Sequence, residues 1–350
     1  MKILVSALEH SANVHLKYLM KELGNDIEIC GIFDASLGES IVDLRSTAIM
    51  GFVDVFKKLP FFFRLKDQMV ELSQEVDKVL LIDSSGFNLP LAKAIRKRYP
   101  HKEIIYYILP QAWAWKKKRI PVLEKTITKL ASILPFEPSY YSPMAPIEYV
   151  GHPLLDEITL HKTDLTPTGI ITFMPGSRPG EIRKLMDVYR EVRARIECQA
   201  MLVIPPHFSD EKIAQLYGDI SAFTVTNDAH TTLATSDFAF ICSGTATLEA
   251  SLIGTPFVLV YIAKKLDYMI GRALIKLQYA GLANLLLSHA YGTTLHPEFI
   301  QNDVTAENLY NSYIQMDREQ FFRNAEKLRS LLQHGSAKRV SELIKEIPHA

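Results

Sequence analysis

Short apolar runs separated by longer stretches of mixed polarity recur along the 350-residue chain. KILVSA (2–7), IEICGIF (27–33), KVLLID (78–83), EIIYYIL (103–109), ASILPF (131–136) and IEYVG (147–151) form a first series. GIITFMPG (169–176), MLVIPP (201–206), AFTVTN (222–227), FAFICSG (238–244) and PFVLVYI (256–262) form a second. Runs that do not alternate suit strands buried on both faces, and the helical patterns between them imply parallel sheets. Between the two series lies HKTDLTPTG (161–169), polar and proline-containing, a linker candidate.

Both halves open with a strand, a polar loop and a helix. After LVSALEHSAN, the spacing of Val14, Leu16, Leu19, Met20 and Leu23 predicts a helix that Gly24 is placed to end. After ITFMPGSRPGE, Ile182, Leu185, Met186 and Tyr189 do the same. The simplest architecture is α/β: two Rossmann-like domains with parallel sheets facing a cleft. Ligands in such sheets bind beyond the carboxyl ends of the strands, so chemistry is expected in these loops.

MPGSRPGE (174–181) offers a tight turn at Pro175–Gly176, close backbone approach at Gly176, and donors from Ser177 and Arg178 at a helix start, a natural anion site. An ordinary turn with Arg178 paired to Glu181 is the competing reading. CSGTATLEA (242–250) repeats the setting with Ser243, Gly244 and Thr245. Glu249, one helical turn beyond Thr245, is placed to accept both hydroxyls of a ribose; a solvated glutamate on a capped helix is the alternative. Two phosphate-type loops in one domain point to a nucleoside diphosphate. GxxxxGK[ST] is absent and SALEHSAN stands where GxGxxG would follow the first strand, which argues against a kinase, an NTPase or an NAD enzyme.

In the first half, Asp83 ends the strand KVLLID and Glu9 lies in the loop after the first strand. Desolvation at such a strand end pushes a carboxyl pKa up, as a general base for a sugar hydroxyl requires. The competing roles are helix capping for Asp83 and a structural part for Glu9. Asn13 is equally an N-cap candidate, and Ser11 stands in the same loop. His10 and His152 also fall at loop positions, His152 at the end of IEYVGH where a phosphate or the base is within its reach; a structural histidine is the alternative for each.

Composition narrows the partners. Lys+Arg and Asp+Glu are equal at 39 each, so no net charge favours nucleic acid. The three cysteines, Cys30, Cys198 and Cys242, fit neither a disulfide framework nor a zinc site, and a reducing cytoplasm is the expected home. No metal and no cofactor is expected. MKILVSALEHS reads as a first strand rather than a signal peptide, and no stretch of about 18 uncharged apolar residues spans a membrane. KKLPFFFRLK (57–66) places Phe61, Phe62 and Phe63 between basic residues. Three consecutive side chains cannot share one face, so neither a buried strand nor an amphipathic helix calls for the pattern. Exposed rings inserted at a lipid headgroup boundary, with basic neighbours on anionic lipids, do; core packing or a dimer contact competes. AWAWKKKR (112–119) and AKKLDYMIGRALIKL (263–277) are expected to extend that surface.

In order and spacing, LEHSAN (8–13), MGFVDV (50–55), IDSSGFN (82–88), PQAWAWKKKR (110–119), LPFE (134–137), VGHPLLD (150–156), MPGSRPGE (174–181), SGTATLE (243–249) and GLANLL (281–286) together resemble the lipid-A-disaccharide synthase family, inverting glycosyltransferases of family 19 with the GT-B fold. The resemblance implies transfer of 2,3-diacylglucosamine from UDP-2,3-diacylglucosamine to the 6-hydroxyl of 2,3-diacylglucosamine 1-phosphate, at the cytoplasmic face of the inner membrane of a Gram-negative bacterium. It implies catalytic roles for Glu9 and Asp83 and donor-site roles for Arg178, Glu249 and Asn284, and it suggests a homodimer. It also implies an acceptor- and membrane-facing domain over 1–163, a UDP-sugar domain over 164–326, and a return of 327–350 onto the first domain. Two departures stand out. LEHSAN replaces the usual GEASGD, losing two glycines and turning an aspartate into Asn13, and Gly86 replaces a second aspartate. The alternatives are another UDP-sugar enzyme of this fold with a soluble substrate, or a non-catalytic nucleotide- or lipid-binding module.

Overall fold

A computed structural model of the chain describes residues 1–42, 59–263 and 278–346. MGFVDV, Lys57, Lys58 and residues 264–277 of the basic segment lie outside the described residues. The chain divides into two compact units, residues 1–157 with 332–350, and residues 158–331.

The first unit carries β1 (Lys2–Ser6), β2 (Glu28–Ile32), β3 (Lys78–Ile82), β4 (Glu103–Tyr107), β5 (Lys129–Ser132) and β6 (Ile147–Tyr149). Among the described residues they form one parallel sheet in the order β2-β1-β3-β4-β5-β6. β3 is buried at all five residues, as expected of a central strand covered on both sides. Its side chains alternate between two cores. Val79 and Leu81 pack with Leu65 and Met69 of α2 (Leu59–Leu72) and Leu91 and Ile95 of α3 (Ser85–Arg98). Leu80 and Ile82 pack with Leu16 and Leu19 of α1 (His10–Leu23).

The second unit repeats the plan with β7 (Ile170–Met174), β8 (Gln199–Val203), β9 (Thr224–Thr226), β10 (Phe238–Cys242), β11 (Phe257–Tyr261) and β12 (Glu298–Ile300), ordered β12-β11-β10-β7-β8-β9 and all parallel. Phe173 and Phe240 stack at 5.1 Å across the β7–β10 pair and meet Tyr189 of α4 (Pro179–Arg193). Two runs are displaced along the chain: MLVIPP, whose strand is Gln199–Val203, and ASILPF, whose strand is Lys129–Ser132 because Leu134–Phe136 turn away into a short 3-10 segment starting at Glu137. β12 corresponds to no apolar run.

The chain re-enters the first unit at Leu332. There the amide of His152 donates to the carbonyls of Leu332 (3.1 Å) and Gln333 (3.2 Å). Gly151 makes the approach feasible, with φ +86° and only 2.7 Å between a would-be Cβ and the Gln333 carbonyl oxygen. A terminal helix, Ser336–Lys345, then places Val340 and Ile344 in the Leu16–Leu80 core.

Candidate functional site

In each sheet the strand order reverses at one place. From β1 the chain moves to β2 on one side and then to β3 on the other; from β7 it moves through β8 and β9 and then to β10 on the other side. A crevice opens beyond the carboxyl ends of the strands where loops part in this way. The candidate residues of the first unit follow β1 and β3, and those of the second follow β7 and β10.

At the first reversal, Glu9 and Asp83 come together. Ser84 Oγ donates to Glu9 Oε1 at 3.2 Å. Asp83 and Ser84 both take left-handed backbone conformations, φ +49° and +43°. Such strain persists only where its surroundings enforce it. Tyr106 Oη donates to the Asp83 carbonyl at 2.6 Å, and the Asn88 Nδ2 donates to it at 2.9 Å and to the Ile82 carbonyl at 3.1 Å. Ser6 Oγ donates to Asn88 Oδ1 at 2.6 Å, so a fully buried Asn88 fastens the end of β3 to the end of β1. The helix α3 begins after Ser84, so Asp83 is not its cap. Burial, then the nearby Glu9 charge, raise the Asp83 carboxyl above the ordinary carboxylate range. Asn88 and Tyr106 were missed from sequence; Asn88 ends IDSSGFN, which was a usable signal.

Two other candidates of this unit, Asn13 and His152, have structural partners. Asn13 is not the N-cap, a position that Glu9 occupies; it sits in the first turn of α1, donating to the carbonyls of Ala7 (2.9 Å) and Glu9 (2.8 Å) and accepting from the Asp34 amide at 2.7 Å. It therefore shapes the Glu9 loop from behind. Ser11, in the same first turn, is half-buried and His10 is exposed. His152 is 3% exposed and accepts the Leu154 amide on Nδ1 at 3.3 Å, and burial drives its pKa to about 3, so the imidazole is held neutral in the interior.

The three phenylalanines open α2, against the expectation that no helix calls for them. Phe62 turns inward, edge-on to Phe87 of α3 at 6.2 Å, while Phe61 and Phe63 are 36% and 58% exposed. A helix turns 100° per residue, so one of three consecutive rings packs and its neighbours point outward. AWAWKKKR divides similarly. Trp113 is core, edge-on to Phe136 at 4.8 Å, so it does not extend the expected surface; Trp115 lies under Lys116 at 4.0 Å.

At the second reversal, β7 and β10 pair with Met174 opposite Ile241, so Pro175–Arg178 and Ser243–Thr245 emerge side by side. Gly176 has φ +92°, and a Cβ there would lie 3.1 Å from Cys242 Sγ and 3.1 Å from Glu181 Oε2. Ser177, Gly244 and Thr245 are exposed or partly so, Ser243 is half-buried, and Thr245 opens the helix α5 (Thr245–Ile253). The Arg178 Nη1 donates to Glu181 Oε1 at 3.0 Å while the side chain stays 72% exposed. Glu181 is buried and stays in place, while the exposed guanidinium is free to turn towards a stronger anion. Glu249 lies at the same helix, 3.5 Å from His230 Nε2.

Asn284, carried here by resemblance alone, is fully buried on α6 (Leu282–Tyr291). Its Nδ2 donates to the His296 carbonyl and to Glu298 Oε1, both at 2.9 Å, and its Oδ1 accepts from the Leu295 (2.7 Å) and His296 (3.2 Å) amides. Each of its polar atoms therefore has a partner within the protein. It holds the start of α6, where Glu298 also accepts from the Ala280 and Gly281 amides at 2.7 and 3.0 Å. Among the described residues, no three His, Cys, Asp or Glu side chains are grouped to hold a metal ion, and no helix is long and apolar enough to cross a membrane.

A family model described as lipid-A-disaccharide synthetase matches residues 3–347. A protein of Helicobacter acinonychis (strain Sheeba) named lipid-A-disaccharide synthase is 47% identical over 355 residues, spanning 98% of this chain and 97% of the relative. Another of that name, from Campylobacter jejuni (strain RM1221), is 44% identical over 371 residues, spanning 98% and 99%. Among solved structures, a putative UDP-N-acetylglucosamine 2-epimerase from Listeria monocytogenes superposes with TM-score 0.62 at 15% identity, covering 98% of this chain and 95% of that one. A calicheamicin glycosyltransferase does so with TM-score 0.61 at 11% identity, covering 98% and 97%. These likenesses are of fold, the two-domain GT-B arrangement.

Proposed function

The chain belongs to the lipid-A-disaccharide synthase family, glycosyltransferases of lipid A biosynthesis, and from that premise we propose that it transfers 2,3-diacylglucosamine from its UDP derivative to the 6-hydroxyl of 2,3-diacylglucosamine 1-phosphate. The observation that carries the residue assignment is the pairing of each candidate set with a strand-order reversal: Glu9 and Asp83 in the first unit, Gly176–Arg178 and Ser243–Thr245 in the second. The first unit serves the acceptor and the second the UDP-sugar.

The transfer is one displacement. The acceptor O6 attacks the anomeric carbon; its proton passes to the Asp83 carboxylate; the bond from that carbon to the diphosphate oxygen breaks and UDP leaves with the electron pair, inverting the anomeric configuration. Asp83 suits this because burial and Glu9 make its carboxylate more basic than usual. General-base help contributes roughly 10²–10⁴-fold. Arg178, released from Glu181, and the amides of the Ser177 and Ser243–Thr245 turns receive the charge that develops on the diphosphate. Glu249 accepts the ribose hydroxyls, and Asn284 acts at one remove by holding α6. Phe61 and Phe63, exposed beside Arg64 and Lys66, seat the protein on the bilayer that carries its lipid substrates. Nothing in this assignment calls on a metal.

The test is incubation with both lipids followed by mass spectrometry. The expected product is a disaccharide monophosphate formed only when both substrates are present. Hydrolysis of the donor alone, or no reaction, defeats the assignment.

A further inference from the structure

Beside the first candidate site lies a cavity of about 450 Å³ that the assignment above leaves without a role. It is lined by Ser85 and Gly86 at the start of α3, by Lys93 about two turns along, and by Lys116, Lys118 and Arg119 from the PQAWAWKKKR loop. Among the described residues, no acidic side chain lines it. Four cations around one small space repel one another, and their field is relieved when an anion fills it.

The lining is held in place rather than merely basic. Arg119 Nη1 donates to Ser85 Oγ at 3.1 Å, tying the loop to the first residue of α3. Lys116 takes a left-handed backbone conformation, φ +54°, and its ammonium lies 4.0 Å above the Trp115 ring. A strained, ring-supported lysine in a cationic cavity is a costly arrangement for a surface without a ligand. Position then selects the ligand. Ser85 follows Asp83 by two residues, so an anion in the cavity sits within a sugar's reach of the base. Phe87, one residue beyond Gly86, carries the Phe62 contact that leads to the exposed Phe61 and Phe63. A hydroxyl, a phosphate and acyl chains are thus met by three neighbouring features of one unit.

We infer that this cavity binds the anomeric phosphate monoester of the acceptor, with Lys116, Lys118 and Arg119 as its ligands. The inference rests on the synthase assignment. It gives the acceptor a direction: phosphate among the lysines, O6 at Asp83, acyl chains along the start of α2. A phosphate monoester carries close to two negative charges at neutral pH and suits a multi-cation pocket better than a diester headgroup does.

Steady-state rates in neutral-detergent micelles test it, comparing wild type with Lys116→Ala/Lys118→Ala on the acceptor with and without its 1-phosphate. Both lysines are exposed, and the variant is expected to fold. The expected result is an acceptor KM raised about tenfold or more for the phosphorylated acceptor, unchanged donor KM and kcat, and no difference between the two proteins on the dephosphorylated acceptor. An unchanged KM overturns the inference, as does equal weakening of both acceptors. So does loss of binding to phosphatidylglycerol vesicles with acceptor KM intact, since the pocket then serves the membrane. If wild type turns over neither acceptor, the synthase assignment fails instead. Calorimetric titration with glucosamine 1-phosphate then judges the cavity alone: binding by wild type that the variant loses supports it, and equal or absent binding overturns it.

Discussion

The Ser84 hydroxyl donates to Glu9 Oε1 at 3.2 Å, joining the loop after β3 to the loop after β1 and bringing two carboxylates of one unit close together. Glu9 thereby acts on Asp83 through charge, raising its pKa. A base must be ionised to work, so kcat/KM falls as pH drops through the Asp83 pKa. Glu9→Gln removes the neighbouring negative charge, and the acid limb of the profile moves to lower pH. A pH–rate profile of the two proteins checks this; an unmoved limb separates Glu9 from the base.

Asn284→Ala is expected to cost at least about 2 kcal/mol of stability, because it strands the Leu295 and His296 amides in the interior. Donor KM rises with it, since the start of α6 loosens. Denaturant unfolding alongside donor kinetics checks the pairing. A large KM effect with unchanged stability points instead to direct contact with the donor.

Phe61→Ser and Phe63→Ser should each weaken vesicle binding by roughly tenfold with stability changed by no more than about 0.5 kcal/mol, because both rings are exposed. Phe62→Ala does the reverse, costing about 1 kcal/mol through its edge-on contact with Phe87. Vesicle flotation and thermal unfolding of the three variants distinguish membrane seat from core. Equal effects at all three positions contradict the division.

Two buried groups bound the stability profile from opposite sides. Burial raises Glu137 from 4.5 to about 8, so the folded state holds a proton that the unfolded chain releases; stability is lost as pH rises from 4.5 through about 8. Burial lowers His152 from 6.5 to about 3, so the unfolded chain takes up a proton that the folded state refuses; stability is lost as pH falls from 6.5 towards 3. Glu137→Gln should flatten the alkaline side and leave the acid side. Melting temperature measured between pH 4 and pH 9 reads both slopes.

How much of this was legible beforehand follows from what each feature requires of its residues. KVLLI and FAFIC are unmistakable because a strand covered on both faces needs little except apolar side chains. β12 escaped notice because it is three half-buried residues at a sheet edge. The Pro-Gly-Ser-Arg and Ser-Gly-Thr turns were readable from their own chemistry, but their adjacency depends on β10 pairing with β7, which no local pattern encodes. Phe61–Phe63 misled because a helix start, unlike a strand, shows three rings to three directions. Asn284 came from likeness alone, because its partners Leu295, His296 and Glu298 lie 11 to 14 residues away and no local pattern marks them.

The most direct measurement is acceptor-dependent UDP release by wild type and Asp83→Ala, with UDP binding followed in parallel. The expected result is release that requires the acceptor in wild type and falls about 10²–10⁴-fold in the variant, with UDP binding intact. Wild-type release that ignores the acceptor, or a variant that retains full acceptor-dependent release, would contradict Asp83 as the base of a glycosyl transfer.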